Sequence, residues 1–147
     1  MRQVESSGEG EIRRILVAVD GSPQSIRAVR MALNIAKAVG ASIDFISVSE
    51  LSDIPTLMAE AQNEQSEEYA RLALGMSMKL ALAKGVKAEV VLRKGHPAGQ
   101  IVRYADEIKP DLIVLGSRGL SGARGAILGS VSTAVSRSTG YAVLIVK

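Results

Sequence analysis

Short apolar runs alternate along this chain with segments of helical spacing, and that alternation restricts the folds open to it. The first run, Ile12 to Val19, ends in Ile15-Leu16-Val17-Ala18-Val19 and stops at Asp20-Gly21-Ser22-Pro23. A continuous run rich in β-branched residues predicts a strand buried on both faces. Ser22 and Pro23 suit a helix cap and first helical position, Ile26, Val29, Leu33 and Ala36 follow at helical spacing, and Gly40 closes the helix. Ser42 to Ser49 predicts a second strand, and 50–58, with Pro55, an irregular connection. A long helix is expected from about Ala59 to Lys84, with Tyr69, Leu72, Ala73, Met76, Leu80 and Ala83 on one face. Val86 to Leu92, Asp111 to Leu115 and Ala142 to Val146 read as further strands. Helices opening at Gly95-His96-Pro97 and at Ser130 lie between them. Strict β-α alternation implies a parallel sheet covered on both faces. Five strands suit an open, doubly wound sheet, since a closed barrel needs about eight. Ligands of such sheets sit beyond the strand C-termini, where strand order reverses. Two segments are therefore singled out: the turn Asp20 to Pro23 and the loop Gly116 to Ser130.

Composition closes other routes. With 147 residues the chain fits one domain. It has no cysteine and one histidine, His96, so thiolate metal sites, disulfides and His-rich metal centres are excluded. No apolar run approaches the roughly 20 residues that cross a membrane. The amino terminus lacks the apolar centre of a signal peptide, so the expected location is cytoplasmic. A net charge of +3, without a basic block and with only three Tyr and one Phe, argues against nucleic acid as partner. A small anion is a more economical use of a few arginines.

The loop carries glycines at 116, 119, 122, 125 and 129. Glycine lets backbone approach a ligand closely, and successive N–H groups form an anion-binding concavity. Gly129-Ser130 opens a helix, whose first N–H groups and dipole favour negative charge. Ser130, Ser132 and Thr133 add hydroxyls, and Arg118 and Arg124 add guanidinium groups. The loop is neither a Walker loop nor GxGxxG. Two readings stand: a turn-rich surface loop, or a phosphate cradle, which its place after the fourth strand favours. Asp20 likewise serves either a ligand's hydroxyls and metal or only its own turn. His96 reads as a partly exposed capping residue. Met58, Met76 and Met78 read as core filler. Glu60, Glu64, Glu67 and Glu68 read as a solvated face, and Asp106-Glu107 as a surface pair.

The spacing Gly116-x2-Gly119-x9-Gly129-Ser130 resembles the nucleotide-binding signature of the universal stress protein family, G-x2-G-x9-G-S/T. The opening strand ending Val-Asp-Gly-Ser, the Gly-His-Pro turn and the closing Ala-Val-Leu-Ile-Val strand extend the resemblance over about residues 11–147. It implies a single three-layer, doubly wound, Rossmann-like α/β domain with a five-stranded parallel sheet of order 3-2-1-4-5, preceded by a flexible arm, 1–10. It also implies ATP (or ADP or AMP) as ligand. Ala18, Val19 and Val48 would wall the adenine, and Asp20 would approach the ribose or a phosphate-bound Mg²⁺. Gly116, Arg118, Gly119, Gly129, Ser130, Val131 and Ser132 would hold ribose and phosphates. The family often dimerises through its last strand, here Tyr141–Lys147, an apolar sheet edge that invites pairing. The function so implied is a nucleotide-dependent regulatory or signalling module in stress response. Alternatives are a slow ATPase or phosphotransferase, for which no catalytic residue stands out, and a nucleotide-free dimeric scaffold.

Overall fold

The computed structural model describes residues 10–51, 57–118 and 128–147. Its elements are β1 (Arg14–Ala18), α1 (Pro23–Val39), β2 (Ser42–Ser49), α2 (Leu57–Lys84), β3 (Ala88–Lys94), α3 (Pro97–Ile108), β4 (Leu112–Gly116), α4 (Ser130–Ser138) and β5 (Val143–Val146). The five strands form one parallel sheet in the order β3-β2-β1-β4-β5. The chain runs outward from β1 to β3, then returns to β4 on the other side of β1. The reversal therefore lies between β1 and β4.

Alternation along the strands sorts the core into two layers. Ile15 and Val17 of β1 join Ile43 and Phe45 of β2 beneath α1 and α2. Leu16, Ile46 and Ile113 point the other way, onto Ala98, Ile101 and Ala105 of α3 and Val135 of α4. The three central residues of β1 have no exposed surface, as a strand covered on both faces requires. Helix α1 begins as its sequence predicts. The Ser22 hydroxyl accepts from Ser25 N at 3.2 Å, and Gly40, at φ 74°, donates its N–H back to Ala36.

Several details depart from expectation, among them the start of α2 at Leu57, within the stretch 50–58 expected to be irregular. Ile12 and Arg13 precede β1, which starts at Arg14. Val86 belongs to the exit of α2, its N–H bonding Ala81 O at 3.0 Å, so β3 runs two residues later than expected. Another departure concerns the face of α2. It buries Ala59, Ala70, Ala73, Leu74, Ser77 and Ala81, while Tyr69, Leu72 and Met76 are about half or more exposed. Met58 is exposed too, so neither Met58 nor Met76 fills the core. Small side chains let the helix lie close on β2 and β3. A reading that gives the interior to the largest apolar residues turns the helix the wrong way. Glu67 also leaves the solvated face assigned to it, since it binds Arg71 at 2.7 Å and Lys94 of β3 at 2.9 Å. The Lys94 ammonium, and then the Arg71 guanidinium, hold its carboxyl below the usual range.

Candidate functional site

The carboxyl ends of β1, β2 and β4 open into a cavity of about 540 Å³. Its floor is Ala18, Val19, Asp20, Ile46, Ser47, Val48, Leu115 and Gly116. Arg118, Ser130 and Val131 close one end, and Glu50 with Gln62, Gln65, Ser66 and Tyr69 of α2 closes the other. Pro97 and Ile101 of α3 complete the wall. The volume is within the range of small-molecule sites, roughly 300–1,000 Å³.

Each part of the floor follows from local chemistry. Past the end of β1, Val19 N still bonds Ile46 O at 2.8 Å. The Ser47 hydroxyl donates to Val19 O at 2.6 Å, holding the two strand ends together. Asp20 then turns the chain. Its Oδ1 accepts from Ser22 N at 2.8 Å, and its own N–H donates to the Ser25 hydroxyl at 3.0 Å. The same turn that starts α1 thus fixes the Asp20 carboxylate at the cavity edge. Val19 is buried in the layer beneath α1, whereas Ala18 and Val48 belong to the layer facing α3.

The opposite end is the start of α4. Gly129 caps that helix, and the first intrahelical bond runs from Thr133 N to Gly129 O at 3.0 Å. The N–H groups of Ser130, Val131 and Ser132 precede it, as donors at a helix start do. Ser130 is exposed and, with Val131, borders the cavity beside Arg118. A helix start, with its N–H donors and dipole, and an arginine border the same part of the cavity, a combination that suits a phosphate group.

Of the residues singled out in sequence, Ala18, Val19, Asp20, Val48, Gly116, Arg118, Ser130 and Val131 line one cavity. Gly129 and Ser132 stand behind it. The Gly129 N–H donates to Ser117 O at 2.6 Å, which ties the start of α4 to the end of β4. The Ser132 hydroxyl is turned inward to Ser117 O and Gly129 O, both at 3.0 Å, in a residue 2% exposed. Both residues build the helix start and do not face the cavity. Gly119 and Arg124 lie outside the described residues. His96 caps α3 through its backbone, without a side-chain hydrogen bond to the helix, and is exposed.

Sequence reasoning missed the α2 wall. Gln65 Nε2 donates to the Tyr69 hydroxyl at 3.0 Å, and Glu50 N to the Ser66 hydroxyl at 3.1 Å. The signal was present. Gln62, Gln65 and Ser66 interrupt the apolar pattern in the first half of α2, where a helix face leaves the core and meets the open sheet end. A second polar group escaped notice as well. Asp44, 3% exposed, takes a forked pair of bonds from Arg14 at 2.9 and 3.2 Å and a third from Tyr104 OH at 2.8 Å. It sits near the amino ends of the strands, away from the cavity at their carboxyl ends, and is structural. Burial, reinforced by the bond to Asp44, pushes the Tyr104 phenol up to about 12.

Among the described residues no three His, Cys, Asp or Glu side chains gather to hold a metal. Asp20 is the carboxylate nearest the Arg118 end of the cavity floor. One carboxylate fits a Mg²⁺ ion that arrives on phosphates, since that ion usually keeps waters and takes only one or two protein ligands. No helix among the described residues is long and apolar enough to cross a membrane.

Comparison with known proteins places this geometry in a lineage. Residues 11–147 match the model of the universal stress protein family. A universal stress protein of Methanocaldococcus jannaschii is 34% identical over 100% of this chain and 89% of its own length. The universal stress protein UspA from Lactobacillus plantarum superposes with a TM-score of 0.82 at 24% identity, covering 93% of this chain and 99% of that one. A universal stress protein in complex with cAMP superposes with a TM-score of 0.73 at 31% identity, covering 93% and 98%.

Proposed function

We propose that this chain, which belongs to the universal stress protein family, binds ATP in the strand-end cavity and acts as a nucleotide-dependent regulatory module in stress response. One observation carries the reading: Ala18, Val19, Asp20, Val48, Gly116, Arg118, Ser130 and Val131, remote in sequence, line a single cavity with a helix start at one end. That a relative 31% identical is a complex with cAMP supports an adenine nucleotide. In this reading the base lies over Ala18 and Val48, the ribose meets Asp20, and the phosphates reach Arg118 and the N–H groups of Ser130 and Val131. Gly129 and Ser132 hold that helix start in place. Mg²⁺ enters on the phosphates, with Asp20 as its protein ligand.

The first experiment is direct. The purified protein is heat-denatured and the supernatant analysed by mass spectrometry, and the emptied protein is titrated calorimetrically with Mg-ATP. Released adenine nucleotide and saturable binding weakened by Asp20→Ala support the reading. No binding by a folded protein leaves the dimeric scaffold. Steady-state phosphate release abolished by Asp20→Ala would instead make the protein a slow ATPase. Phosphoryl transfer needs a positioned base, whereas Asp20 Oδ1 is already engaged by the Ser22 N–H.

The same reading includes a homodimer through β5. That strand pairs with β4 on one side and ends the sheet on the other. An apolar edge strand offers backbone donors and acceptors to a second copy. Light scattering at micromolar concentration is expected to give at least twice the chain mass, and a monomer there counts against it.

A further inference from the structure

Helix α2 carries its small residues inward and its large apolar ones outward. Tyr69, Leu72 and Met76 are 51%, 63% and 49% exposed and follow one another at intervals of three and four. That is the spacing of a helix–helix seam. Gly75 lies beside them in the helix interior, where glycine is less favourable than alanine. Among the described residues no neighbouring side chain or element comes within 4 Å of the place its Cβ would take. Packing among the described residues therefore gives no reason for a glycine, whereas a second helix approaching closely would.

Charge says what that second helix is. Between 57 and 70, α2 holds Glu60, Glu64, Glu67 and Glu68 and no cation. Between 71 and 84 it holds Arg71, Lys79 and Lys84 and no acid. A helix acidic in one half and basic in the other complements itself when two copies run antiparallel. We propose that the Tyr69–Leu72–Met76 face of α2 is an interface with a second copy of this chain, two α2 helices crossing antiparallel about a two-fold axis near Leu72. Leu72 then meets its own symmetry mate, and Tyr69 meets the partner's Met76. Exposed Glu64 of each copy then faces the partner's Lys79, so the favourable pairing occurs twice, as an isologous contact requires. The face lies on α2 and the β5 edge lies at the far side of the sheet, so the two contacts are independent.

The chain has no cysteine, so a single one introduced at Leu72 reports on this face alone. Under mild oxidation L72C is expected to form a disulfide-linked dimer, whereas Arg103→Cys on exposed α3 is not. In sedimentation velocity across the micromolar range, Leu72→Glu weakens self-association at least about tenfold, because a buried leucine is replaced by a charge. Lys79→Glu weakens it too, and Glu64→Lys combined with Lys79→Glu restores it, which a loss of folding could not do. All of these positions are exposed in the monomer, and circular dichroism should remain unchanged. L72C cross-linking no faster than R103C, or an unchanged sedimentation profile for Leu72→Glu, overturns the proposal.

Discussion

Gly116 shows how one residue type can serve two purposes. Its place in a glycine-rich loop suggests a role toward a ligand, and it does border the cavity. Its tightest neighbours belong to the chain itself. A Cβ there would lie 2.9 Å from the Gln24 carbonyl carbon and 3.0 Å from both Gln24 Cβ and Ser25 N. The end of β4 is packed directly against the first turn of α1, and backbone cannot swing aside as a flexible side chain can. Gly116→Ala is therefore expected to destabilise the fold by roughly 1–3 kcal/mol, the usual cost of overpacking, read as a lower urea midpoint with unchanged slope. A midpoint equal to the parent's would mean that the first turn of α1 gives way freely. Tyr104 makes a second prediction at this scale. Its phenol is held near 12 against an ordinary 10, first by burial and then by its bond to Asp44. The native state keeps that proton longer than the unfolded state does. The contribution is fully present below pH 10 and is lost as pH rises through the native value near 12. In Tyr104→Phe the denaturation midpoint should fall less steeply over that interval than in the parent, and the late step in phenolate absorbance should vanish. Parallel profiles for the two proteins would remove Tyr104 from the alkaline transition.

Among the elements, the start of α4 tests the proposed phosphate end of the cavity most cleanly. Ser130 is the first residue of the helix, and Gly129 before it is extended at φ −64° and ψ 162°. Proline is tolerated at a first helical position and prefers an extended residue before it. Ser130→Pro should leave the helix intact while deleting the N–H and hydroxyl of a residue that borders the cavity. Nucleotide affinity is expected to fall about tenfold or more, as for one hydrogen bond to a charged group. Calorimetric affinity unchanged in a protein of unchanged circular dichroism would move the phosphates elsewhere. Legibility differs sharply between elements. Helix α1 reads well from sequence because Ser22, Pro23 and Gly40 mark its ends and Ala28, Val29, Ala32, Leu33 and Ala36, at helical spacing, face inward. Helix α2 reads poorly because its core face is alanine and serine, which periodicity scores weakly beside Tyr69, Leu72 and Met76. The shift of β3 has a related cause: Val86 is apolar, and only its bond back to Ala81 shows that it closes a helix.

For the whole molecule, ligand and fold are linked by mass action. A nucleotide that binds only the native state raises stability by about 2.7 kcal/mol at a hundredfold excess over its dissociation constant. Thermal unfolding of nucleotide-free protein with increasing Mg-ATP should therefore move upward in proportion to the logarithm of concentration. Asp20→Ala should flatten that dependence, and a transition insensitive to Mg-ATP would argue for the scaffold. Sequence alone determined the order of elements, the parallel sheet and the importance of the turns after β1 and β4. Those follow from local rules of burial, capping and crossover that each segment carries within itself. The rule that such sheets bind ligands where strand order reverses also pointed to Asp20 and Gly116 of the cavity floor, and the family resemblance added Ala18, Val19 and Val48. Only the tertiary structure decided which donors face the cavity. Ser130 and Val131 border it, while Ser132 turns inward to carbonyls of Ser117 and Gly129 that the chain brings within reach only on folding. The α2 wall was decided in the same way. Whether Gln62, Gln65 and Tyr69 meet core, solvent or ligand depends on how far α2 overhangs the end of β2, a distance between elements that no segment's own sequence encodes.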